Sequence, residues 1–273
     1  ATWTSKSFAK LYDQYLAGWQ ADPASLRYAL SIDNKEIWQA HLENKRRLID
    51  EVNRRAGEKF TYKAFTVGIA RRLAPYKRPT MILSRPETLK RLARKYGGLQ
   101  LVFAGKAYPS DMEGEGLIKR IFEVKQELAG EVPIVFLEDY DMELAKILTA
   151  GCDLWLNTPI RPLEASGTSG MKAAHNGIPQ ASVLDGWWLE GHLEGVTGWT
   201  IGPNVAGPEL TANHFREEED EEDLYFKLGE KILPTFYHAP EKWQDIMRHT
   251  IAFNASFFNT TRMVQQYLLS AYS

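Results

Sequence analysis

The stretch FTVGIARRLAPYKR, residues 65–78, joins a short apolar run to a turn holding Arg71, Arg72, Lys77 and Arg78. The run is almost continuously apolar, as expected of a strand buried on both faces of its sheet. Four more runs share that character: LQLVFAG (99–105), VPIVFLE (132–138), CDLWLN (152–157) and IPQASVL (178–184). Helix-length segments at 79–96, 112–129, 142–150 and 169–176 lie between and beside them. Apolar strands alternating with helices predict an α/β protein with a Rossmann-like parallel sheet and helices on both faces. Ligands of such sheets bind in the crevice beyond the carboxyl ends of the strands, so chemistry is sought in the turns that follow them.

Outward from the sheet, residues 1–58 read as a helical lead-in, and 59–273 as the Rossmann-like domain with C-terminal helices from about 221. Asp33 and Glu36 have capping-box spacing, and a long periodic stretch follows until Gly57. Its inner stripe is Ile37, His41, Leu48 and Val52, with the charges Glu43, Lys45 and Arg46 placed elsewhere. The acidic run at 217–223 reads as a solvated loop or helix start. Helices are expected after it at 224–233, 241–253 and 261–271, the last packing on this domain or on another.

With 44% hydrophobic and 25% charged residues, the 273-residue chain can build a sizeable core. A net charge of −2 offers no global attraction to nucleic acid or to an anionic membrane, and no apolar stretch is long enough to span one. The lone Cys152 excludes an internal disulfide and a Cys-rich metal site; no metal is expected, and the setting is expected to be cytoplasmic. The opening ATWTSKSFAK lacks the apolar core of a signal peptide and an initiator Met, so a fragment or a processed chain is expected.

Four turns after strands hold candidate groups. The cations of the first repel one another unless an anion neutralises them, and Arg and Lys suit phosphate oxygens; a solvated basic loop is the other reading. AGKAYPS (104–110) sets Lys106 behind a glycine, which reads more simply as a turn requirement with a solvent-facing lysine. In LEDYDME (137–143), Tyr140 can stack on a flat ring or donate a hydrogen bond, while Asp139 or Asp141 caps the next helix. The segment NTPIRPLEASGTSGMKAAHNG (157–177) says most. Pro159 and Pro162 end a strand, and Gly167 and Gly170 allow the backbone close to a ligand. A helix starting near Ser169 would offer N–H groups to an anion and would put Lys172 in its first turn, against the dipole. A surface lysine and a covalently used one both remain open there. Trp187, Trp188 and Trp199 read as core or interface aromatics before sugar-stacking ones, and His175 as a packing or locally bonded residue.

EASGTSGMKAAHNG (164–177) resembles the pyridoxal-phosphate attachment segment of α-glucan phosphorylases. ARRLAPYKR, GKAYP and FLEDY resemble other crevice turns of that family, in the same order. The resemblance implies the C-terminal, cofactor-bearing domain of a GT-B architecture, in which two Rossmann-like domains face a cleft. It implies retaining phosphorolysis of α-1,4-glucan by inorganic phosphate to glucose 1-phosphate, with pyridoxal 5'-phosphate as cofactor and its phosphate as proton shuttle. Lys172 would hold the cofactor covalently. Arg71 and Lys77 would bind its phosphate with the amides of Thr168 and Ser169, and Tyr140 would lie against it. Arg72 would bind substrate phosphate; Glu164, with the backbone near Ser166 and Gly167, would bind glucose. Arg72, Lys77 and Lys172 are thus the implied catalytic residues. The family's N-terminal domain would be a required partner, without which the chain would be inactive, and a homo-oligomer is possible. Two departures stand out: Arg71 where many relatives have lysine, and His175 where an apolar residue is usual. A nucleotide-sugar-dependent glucan synthase would carry a second glutamate eight positions after Glu164; Lys172 stands there instead. A noncatalytic glucan-binding module is the remaining alternative.

Overall fold

The computed structural model describes residues 1–57, 59–107, 110–203 and 216–272. Six parallel strands form one sheet in the order β3-β2-β1-β4-β5-β6. They are β1 (Phe65–Ala70), β2 (Leu99–Ala104), β3 (Ile134–Leu137), β4 (Leu154–Asn157), β5 (Gln180–Val183) and β6 (Gly198–Ile201). This is the doubly wound Rossmann order, and its switch point lies between β1 and β4. β6 answers to none of the expected strands. Its GWTI sequence, with a glycine and a threonine, makes no continuous apolar run, and its backbone is paired along β5 from Gln180 to Val183.

Period-two alternation sends each strand's side chains into two cores. Phe65, Val67 and Ile69 of β1, with Leu101 and Phe103 of β2, enter one core. Val102 and Trp155 enter the other with Cys152. α1 (Lys6–Tyr15) and α2 (Asn34–Ala56) belong to this packing. Phe8, Tyr12 and Ile37 join the first core, and Leu48 and Val52 the second. Asp33 caps α2 by accepting from the Lys35 N–H at 2.7 Å, and Gly57 closes it at φ 64°. Among the α2 charges, Glu43 and Arg46 are exposed, but Lys45 is not. Its amine is buried 2.6 Å from Asp153 Oδ2 and 2.9 Å from the Ala64 carbonyl. A stripe read from apolar residues alone cannot anticipate a lysine whose partner lies 108 positions away.

The sheet is covered by α3 (Pro86–Tyr96), α4 (Met112–Glu127), α5 (Met142–Gly151), α6 (Thr168–Ala174) and the short α7 (Trp188–Gly191). The helix expected from residue 79 starts at Pro86 instead, after a 3-10 turn at Met81–Leu83. Proline at the first helical position sets that start. The C-terminal layer comprises α8 (Glu217–Lys227), α9 (Leu233–His238), α10 (Pro240–His249) and α11 (Thr260–Ala271), with π-helical turns at Leu228–Ile232 and Thr250–Ala255. The acidic run is therefore helix, and not all of it is solvated: Asp220 is 0% exposed, held by two arginines. α11 buries none of its residues.

Candidate functional site

The two turns that flank the switch point are knitted together. Arg71, at the end of β1, donates through Nη1 to the Lys77 carbonyl at 3.1 Å, and through Nη2 to the Leu156 carbonyl and Asn157 Oδ1. Burial lowers its pKa to about 10, against the opposing field of Glu164. Arg78 reaches across likewise, from Nε to the Thr158 carbonyl at 2.9 Å and from Nη2 to the Pro159 carbonyl at 2.8 Å. The Ile160 N–H returns a bond to the Tyr76 carbonyl at 2.7 Å. Two of the four clustered cations thus serve to hold the turns. Carbonyls, Asn157 and Asp220 relieve the repulsion expected between them.

The other two are placed differently. Arg72 is exposed and donates from Nη2 to the Tyr76 hydroxyl at 3.1 Å. Lys77 forms an ion pair with Glu164, and its amine lies 4.9 Å from the centroid of the Tyr76 ring. Glu164 is oriented by its own N–H, which donates to Asp185 Oδ2 at 2.8 Å. Tyr140 packs beside Leu137, Leu144 and Trp155. Burial raises its phenol to about 12, with Arg71 opposing, so the hydroxyl remains a donor throughout the physiological range. Asp141 caps α5 through the Leu144 N–H at 2.8 Å, so the cap and the tyrosine coexist.

Gly167 turns into α6 at φ 80°. The helix begins at Thr168, one residue earlier than expected, and Lys172 falls in its second and last turn. The expected conflict with the helix dipole therefore does not arise. Burial alone lowers the Lys172 pKa. The amine lies 4.1 Å from the centroid of the Trp3 ring. Gly170 serves packing, not ligand approach: a Cβ there would stand 1.6 Å from Gln180 Oε1. Ser169 Oγ accepts from Trp155 Nε1 at 3.1 Å, fixing the helix start on β4.

A cavity of about 850 Å³ opens beside α6, lined by Ser166, Thr168, Lys172, His175, Trp187 and Trp3 among others. Arg71, Arg72, Lys77, Glu164 and Tyr140 are not among its lining residues. The Gly167 turn joins the two groups, since a Cβ there would touch Glu164 Cγ at 3.6 Å. His175 Nδ1 is buried without a hydrogen-bond partner, and burial holds the ring at a pKa of about 4. Trp187, Trp188 and Trp199 are 5%, 0% and 4% exposed and belong to the packed interior; of the three, Trp187 also lines the cavity.

Lys106 is exposed, and its carbonyl accepts from the Leu73 N–H at 3.0 Å. A Cβ on Gly105 would stand 2.1 Å from the Arg71 carbonyl, so close packing requires that glycine. Tyr108 and Pro109 of the same motif lie outside the described residues. Among the described residues, no three His, Cys, Asp or Glu side chains converge as metal ligands, and no helix is long and apolar enough to cross a membrane.

Sequence reading missed Asp185 and Asp220. Both are carboxylates distant in the chain from the segments they hold. One sequence gives such residues no periodic or motif signal; only Asp220's place in an acidic run marked it, and that suggested solvation.

A Rossmann sheet with a basic turn and a glycine-bounded lysine helix beside its switch point is an α/β fold of the kind found in GT-B domains. The family description "Carbohydrate phosphorylase" matches residues 6–194, and the chain belongs to that family. It is 38% identical to the maltodextrin phosphorylase of Thermococcus litoralis over the whole chain and 34% of that protein. It is 36% identical to the glycogen phosphorylase of Aquifex aeolicus, again over the whole chain and 42% of the relative. The glycogen phosphorylase of Mycobacterium tuberculosis is 32% identical, with 34% of its length covered. The chain thus spans roughly a third to two fifths of these relatives.

Proposed function

We propose that this chain is the C-terminal, cofactor-bearing part of an α-glucan phosphorylase, which releases glucose 1-phosphate from α-1,4-glucan by retaining attack of inorganic phosphate. The observation that carries this reading is Lys172: a half-buried amine, with burial lowering its pKa, beside a cavity and one helix turn from the Gly167 entry. Those residues fit pyridoxal 5'-phosphate. An amine eased toward its neutral form suits covalent attachment to an aldehyde, and the cavity is of cofactor size. When bound, that cofactor supplies a phosphate group able to exchange a proton with the substrate phosphate.

The chain's own residues have separate tasks. Lys172 holds the cofactor, and Thr168 and Ser169 present N–H groups toward its phosphate. Arg71, Lys77 and Tyr140 do not line the cavity; from across the Gly167 turn Arg71 would contribute fixed positive charge, Lys77 a movable cation, and Tyr140 a surface for the ring. Arg72, on the crevice side, takes the substrate phosphate. Glu164, with the backbone at Ser166 and Gly167, accepts from glucose hydroxyls. The Lys77–Glu164 ion pair keeps both side chains in place until anion and sugar divide it. The remaining length seen in the relatives would close the cleft from the other side. With Cys152 a buried free thiol, a cytoplasmic setting is proposed.

Borohydride reduction of the cofactor-reconstituted protein, followed by peptide mapping, tests this. A pyridoxyl label on Lys172, lost in Lys172→Ala, is expected. A full-length protein that takes up no label at Lys172 would sink the reading.

A further inference from the structure

We propose that Asp220, far in sequence from every ligand-facing segment, is the positioning residue that holds the anion-binding turn and the Glu164 loop in register. Its carboxylate accepts from Arg78 Nη2 at 2.6 Å through Oδ2 and from Arg161 Nη2 at 2.6 Å through Oδ1. Arg78 belongs to the turn that carries Arg71, Arg72 and Lys77; Arg161 belongs to the loop that leads to Glu164. One side chain from α8 therefore closes both sides of the switch point from the C-terminal layer.

The surroundings are built for this contact. Asp220 is 0% exposed, and Arg78 and Arg161 are 5% and 6% exposed. Gly202 makes room for the carboxylate: a Cβ there would stand 1.9 Å from Asp220 Oδ1. Arg161 Nη1 donates in addition to the Pro203 carbonyl at 3.0 Å, which ties in the end of β6. Arg78 adopts φ 43°, a left-handed conformation uncommon for a residue with a side chain. Its bonds to Thr158, Pro159 and Asp220 hold it there, and Thr158 Oγ1 returns a bond to the Arg78 carbonyl at 2.8 Å. Burial opposes the carboxylate's charge and raises the Asp220 pKa, with the two arginines acting against it. A buried carboxylate between two guanidinium forks fixes distances that an exposed pair leaves loose. Loss of its charge leaves two buried cations mutually repelling at the base of the turn. The turn then shifts, and with it Arg72 and Lys77.

This inference rests on the assignment of phosphate binding to that turn. The test therefore reads inorganic phosphate binding directly, by calorimetry on the full-length, cofactor-loaded enzyme. In Asp220→Asn the dissociation constant for phosphate is expected to rise about tenfold, the scale of a sub-ångström misplacement of a binding group. The pyridoxyl label on Lys172 is expected to persist. Asp223→Asn is the control. Asp223 lies in the same helix, where it accepts from Gly202 N–H at 2.8 Å and pairs with Lys227 at 2.9 Å, so a role confined to anchoring α8 would move both variants alike. Arg78→Lys keeps the charge but loses the fork, and it serves if Asp220→Asn does not fold; the same weakening is expected. Unchanged phosphate affinity in Asp220→Asn or Arg78→Lys, or equal weakening in Asp223→Asn, overturns the inference. A wild-type enzyme that binds no phosphate overturns it too. Phosphate binding without label on Lys172 would remove the cofactor reading and leave the positioning role standing.

Discussion

His175 follows Lys172 by less than one helical turn and shows how burial sets protonation beside the cavity. Desolvation lowers its pKa from 6.5 to about 4. The unfolded chain therefore binds the proton more readily than the folded one. Stability from this residue is complete above pH 6.5 and is lost as pH falls toward 4. The ring keeps some contact with solvent, so the expected loss is discounted to about 2 kcal/mol. Urea denaturation at pH 7 and pH 4.5 should show that loss, and His175→Gln should flatten it. Arg72 is exposed, and on the proposed function it takes the substrate phosphate. Arg72→Ala in the full-length enzyme is expected to lower kcat/KM for phosphate by about tenfold to a hundredfold, typical for a lost anion clamp. Cofactor content should remain unchanged; equal loss of both would show that the basic turn is wrongly assigned. The charges of 71–78 were plain in the sequence, but the division of labour among them was not. It depends on which guanidinium finds carbonyls across the switch point.

At the scale of elements, α2 is joined to the sheet by a buried polar knot. Asp153, just before β4, accepts from Lys45 Nζ at 2.6 Å, the Thr66 N–H at 2.7 Å and His41 Nε2 at 2.9 Å. Removing one partner of such a knot leaves an uncompensated buried charge. Asp153→Asn is therefore expected to destabilise the fold by about 3–5 kcal/mol in equilibrium denaturation. Adding Lys45→Met should recover part of that loss, because the stranded cation is then gone. The helix α2 itself was legible from its period, its Asp33 cap and its closing Gly57. His41 was read as part of an apolar stripe and Lys45 as a surface charge; both partner the same aspartate. Strands β1 to β5 were legible because each is buried on both faces and reads as an apolar run. β6 escaped because GWTI, with a glycine and a threonine, makes no continuous apolar run, and it takes its identity from pairing with β5.

At the scale of the whole molecule, one sheet carries a core on each face, and the first 56 residues contribute to both. α11 stands apart: Met263, Tyr267 and Leu269 are 45%, 58% and 75% exposed. On the proposed function, glucan phosphorolysis needs the additional length that the relatives have. The 273-residue chain tested alone is expected to release no glucose 1-phosphate from maltodextrin, while the longer protein does; activity of the chain alone would overturn that dependence. Residue order by itself determined the parallel α/β class, the order of the crevice turns and the family, because apolar period and contiguous motifs are local properties. Only the tertiary structure decided that Arg71 and Arg78 are buried ties while Arg72 is exposed. It moved Lys172 from the first turn of α6 to the last, put Gly170 against Gln180, and turned Asp220 from a solvated acid into the tie between two loops. The Asp220 partners lie 59 and 142 positions away in the chain. Burial forces such partners to pair, and no local pattern records the pairing.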